Sequence, residues 1–279
     1  MTMTVRIFLY CLLGGLSLTS AAAGAGHFGW WWLSGVVLSA AFVPVARFGP
    51  RSWPTRFATI LPPLFVVGTL CTQWEVAIFF PGLRGVAGRD LAAGLVMDLI
   101  VAVVLGLLLP KVLKLTDLSD SLPEMWSPWI TAGMVLLSGV AYVIYYLIFG
   151  WITYGMFTKQ YYPEAESIAR SLGLRLWLME LARGILMTLS VLPAIFALRM
   201  RRWHAAIAVG VLLWVVGGVS PLLVPNALMV PAQRYIHIGE ILTQNAALGI
   251  TAVLLLRPRD RSSMGAIADG SRSTASLSR

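Results

Sequence analysis

Residues 91–109 have the sequence LAAGLVMDLIVAVVLGLLL, an unbroken apolar run in which Asp98 is the only charged side chain. A helix needs about 20 apolar residues to cross the hydrocarbon core of a bilayer. A single buried strand is much shorter, and the strands of a membrane barrel alternate apolar and polar residues, which this run does not do. The stretch therefore predicts a transmembrane helix.

The composition extends this prediction to most of the chain. Of the 279 residues, 58% are hydrophobic and 12% are charged, and the mean hydropathy is +0.80. Soluble domains carry about 25% charged residues, so lipid must cover much of this surface. The net charge of +9 comes without a nucleic-acid-binding motif or a phosphate-binding Gly-rich loop, which disfavours nucleic-acid binding and nucleotide hydrolysis.

Apolar runs of similar length recur and predict an all-α polytopic membrane protein with about eight transmembrane helices. They form a single transmembrane domain, residues 1–256, followed by a basic tail, residues 257–279, which is predicted to be disordered. The runs are Ile7–Gly24, Trp30–Ala46, Phe57–Phe80, Leu91–Leu109, Trp129–Tyr154, Leu176–Leu198, Ala205–Val224 and Arg234–Leu256.

The first run has two interpretations. Arg6, the apolar stretch that follows it and the small residues around Ala21 resemble a secretory signal peptide with its cleavage site. Cleavage would leave seven spans. Another span follows almost at once, which favours retention and eight spans.

The distribution of Lys and Arg orients the predicted spans. Fourteen of these residues lie on the side of the N-terminus and six on the other side, while Arg183 lies within a span. Cytoplasmic segments carry the excess of Lys and Arg. The bias therefore predicts that both termini are cytoplasmic and that the protein is in the plasma membrane, or the inner membrane of a bacterium.

The outer loop after the fifth span, residues 155–175, is predicted to contain a short amphipathic helix. Pro163 suits the first turn of a helix and Gly173 suits its end. One face is apolar and the other is charged. The helix is either a simple connector or a lid over an outward-facing cavity. The apolar face contains Ala165, Ile168, Ala169 and Leu172, and the charged face contains Glu164, Glu166 and Arg170.

The charged, histidine and amide side chains inside the predicted spans all fall in the outer half of the membrane. Such residues are costly among lipid tails and face a partner or a water-filled cavity. Their common depth predicts a single outward-facing intramembrane site. The candidates are Glu75, Asp98, Glu180, Arg183, Arg234, His237, Glu240, Gln244 and Asn245.

Helical geometry groups some of these candidates. His237, Glu240 and Gln244 fall within one arc of the eighth span, with Arg234 and Asn245 beside them. Glu180 and Arg183 are three residues apart and form a potential ion pair, which is either a structural pair or part of a site. 

Several of the polar residues have structural alternatives. Asp98 either reaches the headgroups or pairs with Arg183, and Arg234 either snorkels to the surface or holds an anion. Cys11 and Cys71 lie in apolar runs and are predicted to be buried core residues.

Three functions fit this site. The residues favour binding or transport of a small polar or ionic solute. The first alternative is an enzyme acting at the outer leaflet on a lipid-linked or amphiphilic substrate, with Glu75, Glu240 and His237 as acid and base groups and an arginine holding a phosphate or carboxylate. The second alternative is a metal site formed by His237, Glu240, Glu75 and Asp98. The lipid bilayer is the one partner that the sequence predicts directly; it indicates neither a cofactor nor an oligomeric state.

Overall fold

A computed structural model of the protein describes residues 1–22, 26–50, 52–112 and 126–258. These residues form helices and no strand, and eight of the helices are long and apolar enough to span a membrane. The prediction of an all-α polytopic membrane protein is therefore confirmed. We number the helices α1 (Met3–Ala21), α2 (Phe28–Phe48), α3 (Trp53–Phe79), α4 (Arg84–Val112), α5 (Pro128–Tyr161), α6 (Ala165–Leu172), α7 (Leu174–Ala197), α8 (Arg202–Leu223) and α9 (Pro231–Leu256).

Helices α1–α5 and α7–α9 correspond to the eight predicted spans, but several are longer than their apolar runs. Helix α4 begins at Arg84 instead of Leu91, and α5 continues to Tyr161 instead of Tyr154. The apolar run ends where charged residues begin, whereas the backbone hydrogen bonds of the helix continue past the hydrocarbon core. The segment between the fourth and fifth predicted spans lies largely outside the described residues, as does the predicted disordered tail beyond residue 258.

The helices pack into one bundle. Helix α1 packs on α2 and α4, α5 packs on α7 and α9, and α8 packs on α9. The core is filled by apolar side chains without solvent exposure, such as Phe42, Leu105 and Met187. Large apolar side chains such as Leu136 and Ile144 are exposed on the outside of α5, as expected of a surface that lipid covers. Cys11 and Cys71 are buried free cysteines, as predicted.

The short helix α6 confirms the amphipathic helix that was predicted in the outer loop. It begins at Ala165, two residues after Pro163, and it ends at Gly173, whose φ of 52° is in the left-handed region that glycine adopts readily. Helix α6 packs against the start of α7. Its Ala165 and Ala169 face a cavity at this end of the bundle.

Four of the spanning helices contain a π-helical segment. These segments are 63–70 in α3, 154–158 in α5, 215–219 in α8 and 242–246 in α9. A π-helical turn inserts an extra residue into the helix, and such turns occur frequently at functional sites. The segments of α3 and α8 contact each other directly.

Candidate functional site

A cavity of about 630 Å³ lies at one end of the bundle. We call this the cavity end; it is formed by the ends of α3, α5 and α8 and by the starts of α7 and α9, with α6 beside them. Residues of all six helices line the cavity. The polar and aromatic lining residues are Thr72, Glu75, Phe79, Phe80, Tyr146, Trp151, Tyr154, Thr158, Tyr162, Glu166, Trp177, His237, Glu240 and Gln244.

The cavity wall extends to the outside of the bundle along α5. Leu147 and Trp151 line the cavity, yet 47% of Leu147 and 76% of Trp151 is exposed. Leu147 lies well inside the apolar part of α5, at a depth where lipid would cover it. The cavity therefore adjoins the lipid-facing surface as well as the loops.

Behind the cavity wall, one arginine forms ion pairs with two carboxylates that come from different helices. The Nη1 atom of Arg183 donates to Glu75 on α3 and, at 3.4 Å, to Oε2 of Glu180 on α7. The guanidinium carbon of Arg183 also lies 5.7 Å from the ring centroid of Tyr142. Glu180 has no solvent exposure, whereas the side chain of Glu75 is 35% exposed. Arg183 thus compensates a buried carboxylate and holds Glu75 in the cavity wall.

A chain of hydrogen bonds crosses the wall from Tyr162 to Gln244. The Tyr162 hydroxyl lies 3.1 Å from Nε2 of His237, and Nδ1 of His237 lies 2.8 Å from Oε2 of Glu240. The other carboxylate oxygen of Glu240 accepts from the Gln244 amide at 3.1 Å. Because an ionised carboxylate only accepts, Nδ1 carries the hydrogen, and Nε2 of a neutral His237 accepts from Tyr162.

Tyr162 lies just beyond the end of α5, and it remains a neutral donor over the physiological range. Its partial burial raises the pKa of the hydroxyl to about 12, and the negative charges of Glu240 and Glu75 act in the same direction. Burial and neighbouring negative charge both disfavour the phenolate.

The structure brings together four of the nine candidate residues in the cavity wall. These are Glu75, His237, Glu240 and Gln244. Glu180 and Arg183 lie directly behind Glu75. Their predicted ion pair is present, and Glu75 joins it.

The remaining three candidates have structural contacts outside the cavity wall. Asp98 accepts a hydrogen bond of 2.6 Å from Thr69 on α3, in place of the suggested pairing with Arg183. Arg234 donates to the carbonyl groups of Leu222 and Leu223 at the end of α8. The free carbonyls at a helix C-terminus attract a cation, so Arg234 is engaged by the backbone instead of an anion.

Asn245 lies against the lining residue Gly217, in a packed layer that we call the floor of the cavity. Its amide donates to the carbonyl of Leu213 on α8 at 3.2 Å. A Cβ atom on Gly217 would lie 2.5 Å from Nδ2 of Asn245 and 2.9 Å from Val67. Helices α3, α8 and α9 therefore meet closely beneath the cavity, in the region of their π-helical segments.

Apolar side chains fill the bundle below this floor. Val209, Leu248, Ala252 and Val253 are fully buried. Buried hydroxyl groups in this half, such as that of Thr188, donate to a carbonyl of their own helix. The bundle below the floor is thus packed largely by apolar side chains, and the hydroxyl groups of Tyr145 on α5 and Thr251 on α9 lie 2.8 Å apart there.

The four residues suggested as metal ligands do not form one site. Asp98 is bonded to Thr69, and Glu75 is bonded to Arg183, which leaves His237 with Glu240. Among the described residues, no group of three or more His, Cys, Asp and Glu side chains is positioned to hold a metal ion.

Tyr162 and Thr72 also line the cavity, although neither is among the candidates predicted from the sequence. Tyr162 was placed in a loop, because the fifth span was predicted to end at Tyr154. The continuation of α5 to Tyr161 brings Tyr162 against the start of α9. The aromatic residues just before Pro163 were a signal that could have indicated this contact.

Comparison with known proteins gives no relative for this chain: no protein-family model, curated protein or solved structure matches it.

Proposed function

We propose that this multi-pass membrane protein binds a small polar or ionic solute in the pocket at its cavity end. The observation that carries the proposal is the wall itself, where Glu75, His237, Glu240 and Gln244 from two helices face one cavity of about 630 Å³. Cavities of about 300–1,000 Å³ suit small-molecule ligands, and a few convergent polar groups orient the ligand. Ionisable side chains at this depth in a membrane are energetically unfavourable, and they commonly mark functional sites.

The bias of Lys and Arg supports an orientation for this site. Fourteen Lys and Arg residues are predicted on the side of the N-terminus and six at the cavity end. The cavity end would then face outward, with both termini in the cytoplasm. A plasma membrane, or the inner membrane of a bacterium, is the location that goes with this orientation.

The closed floor supports binding over transport. A transporter needs a polar route to the other side of the membrane, whereas Asn245, Gly217 and Val67 pack closely below the cavity. A solute held at one side without onward passage is typical of a receptor or sensor.

Native mass spectrometry of the purified protein tests the proposal through Gly150 on α5. A Cβ atom at Gly150 would lie 3.5 Å from Oε1 of Glu240 and 3.6 Å from Nε2 of Gln244. The Gly150→Leu side chain should therefore project into the cavity beside Glu240 and Gln244 and displace a co-purified solute. Gly133→Leu is the matched control on the same helix, because a Cβ atom at Gly133 meets no atom within 4 Å.

Two results would contradict the binding proposal. One is a protein that carries no solute in any preparation. The other is a solute that Gly150→Leu retains as well as Gly133→Leu does.

The Tyr162–His237–Glu240 contacts support a second candidate, an enzyme that acts on an amphiphilic substrate at the outer leaflet. A carboxylate that fixes the tautomer of a histidine leaves Nε2 as a general acid or base. The opening of the cavity along Leu147 and Trp151 suits a substrate that arrives from the lipid.

The enzyme candidate is tested by incubating the protein with a lipid extract from its host membrane and following product formation. The His237→Gln substitution should abolish turnover and retain solute binding, because glutamine forms hydrogen bonds but does not titrate. Equal turnover in the wild type and in His237→Gln would contradict the proposal that His237 acts as the acid or base of an enzyme.

A further inference from the structure

The charged side chains in the cavity wall have one sign. Glu75, Glu166 and Glu240 line the cavity together with His237, and no Lys or Arg is among the described lining residues. Glu166 at the mouth is paired with Lys159, whose Nζ atom lies 3.0 Å from its Oε1 atom. The other two carboxylates are the ones that face the interior of the cavity.

The cations near the wall do not balance its carboxylates. Among the described residues, Arg183 is the cation paired with both Glu75 and Glu180, which leaves one formal negative charge in this group when both carboxylates are ionised. Glu240 faces His237 and Gln244, which leaves a second negative charge when His237 is neutral. The guanidinium of Arg234 on α9 is directed to the carbonyls at the end of α8. An anionic solute would meet carboxylates, whereas a cationic one would compensate them.

Aromatic rings provide the second observation, and they are independent of the carboxylates. Faces of aromatic rings attract ammonium groups, most strongly where water is excluded. The aromatic side chains in the wall come from three helices, α3, α5 and α7, and from the residues that follow α3 and α5. They are Phe79, Phe80, Tyr146, Trp151, Tyr154, Tyr162 and Trp177.

The size of the cavity favours an organic cation over a metal ion as the ligand. A metal ion needs several converging ligands, and no such group exists among the described residues. A volume of about 630 Å³ instead fits a molecule with an apolar body. We infer that the solute is an organic ammonium cation, whose charged group faces Glu240 and Glu75 and whose apolar body packs against the aromatic wall. This inference rests on the proposed binding function.

Three small molecules with one skeleton test the inference. They are 2-phenylethylammonium, the uncharged 2-phenylethanol and the anionic phenylacetate. Their dissociation constants for the full-length protein in zwitterionic lipid nanodiscs are measured by calorimetry at pH 7, and empty nanodiscs provide the correction for partition into lipid. The ammonium should bind at least about tenfold more tightly than the alcohol, and phenylacetate should bind most weakly.

Variants locate this preference in the cavity. Glu240→Gln removes the charge and preserves the shape, and it should weaken ammonium binding by about tenfold while leaving the alcohol unchanged. Glu164→Gln is the matched control, because Glu164 is exposed and lies outside the cavity wall. Gly150→Leu should weaken the binding of all three molecules.

The outcomes separate this inference from the binding function. If the alcohol or phenylacetate binds as tightly as the ammonium, and Gly150→Leu abolishes this binding, the inference of a cationic solute is wrong. The proposed binding pocket is then still supported. Failure of the ammonium to bind would also overturn the inference. In that case, a co-purified solute that is lost in Gly150→Leu would still support the proposed binding pocket. Failure of all three, together with the absence of any co-purified solute, would reject both.

Discussion

Helices α8 and α9 are neighbours along their length, but they are closely packed at one end of the bundle and separated by the cavity at the other. We call the end opposite the cavity the packed end. At the packed end, a Cβ atom on Gly249 would lie only 2.7 Å from the Cα atom of Gly210. At the cavity end, the same helices contain π-helical segments, and Pro221 of α8 and Gln244 of α9 line the cavity. Paired glycines therefore close the interface at one end, and the π-helical turns and polar side chains accompany its opening at the other.

The two ends also differ in how they obtain stability. Lipid tails are as apolar as the core, so the packed end depends on close van der Waals contact between small residues. The cavity end contains charges that are unfavourable in lipid unless they are compensated. Substitutions at the packed end should therefore act through shape, and those at the cavity end through charge.

The largest expected effect comes from Arg183→Met. This substitution leaves Glu180, which has no solvent exposure, and the adjoining Glu75 without their shared cation. Removing one member of a buried ion pair costs about 3–5 kcal/mol, because the remaining charge is buried without compensation. The free energy of unfolding in mixed micelles measures the loss.

Two further variants test whether uncompensated charge is the cause. Arg170→Met removes an exposed arginine from α6 and should change stability by less than about 0.5 kcal/mol. Adding Glu180→Gln to Arg183→Met should restore part of the stability, because the two residues are in direct contact. A double variant that is less stable than Arg183→Met would contradict the explanation.

A smaller loss is expected from Gly249→Ala at the packed end. The added Cβ atom would lie 2.8 Å from the backbone nitrogen of Gly210 and from the carbonyl oxygen of Val209. Backbone atoms cannot rotate away, so α8 and α9 must separate, at a cost of about 1–3 kcal/mol. The same unfolding measurement should show no loss for Gly239→Ala on the same helix, where a Cβ atom meets nothing within 4 Å. Equal effects of the two substitutions would contradict the difference in packing.

The fold was predictable from the sequence because apolarity is a sum over many residues. Runs such as Leu91–Leu109 predict a spanning helix whatever their neighbours are. The ends of α4 and α5 were not predictable in this way, because the helices continue through polar residues. That error is the reason that Tyr162 was missed.

The candidate site was predictable only in part, for reasons visible in single residues. Spacing along one helix correctly grouped His237, Glu240 and Gln244, since a helix has a fixed period. Spacing gives no information on which helices are neighbours, so it could not assign Asp98 to Thr69 or Glu75 to Arg183. Depth alone also could not distinguish Gln244 in the wall from Asn245 in the floor, because the π-helical segment 242–246 alters the local geometry.

The adjacent residues Gln244 and Asn245 allow the comparison to be tested within one turn. Asn245→Leu removes the hydrogen bond to the Leu213 carbonyl and should cost about 0.6–1.7 kcal/mol, the range for side-chain hydrogen bonds between helices in lipid. Gln244→Leu should instead weaken binding of the 2-phenylethylammonium probe, since Gln244 positions Glu240 in the wall. Unfolding and binding measurements on both variants provide the test. The interpretation fails if Asn245→Leu affects binding and Gln244→Leu affects stability.

An effect on stability that is confined to high pH is expected from the ionisation of Tyr162. Burial and the charges of Glu240 and Glu75 raise its pKa to about 12, above the usual value of about 10. The folded protein therefore favours the neutral phenol. The stability that this contributes is complete below about pH 10 and is lost as the pH rises through about 12. No change is expected near neutral pH.

The titration of Tyr162 is measurable as the difference in tyrosinate absorbance between the wild type and Tyr162→Phe. Glu240→Gln should shift the midpoint of this difference to lower pH, because removing a nearby negative charge makes the phenolate less unfavourable. Glu164→Gln should not shift it, since Glu164 is not among the charges that raise this pKa. A midpoint at or below about 10 would mean that Tyr162 is solvated and away from Glu240. The hydrogen-bond chain would then not exist, and the cavity end would lose one of its walls.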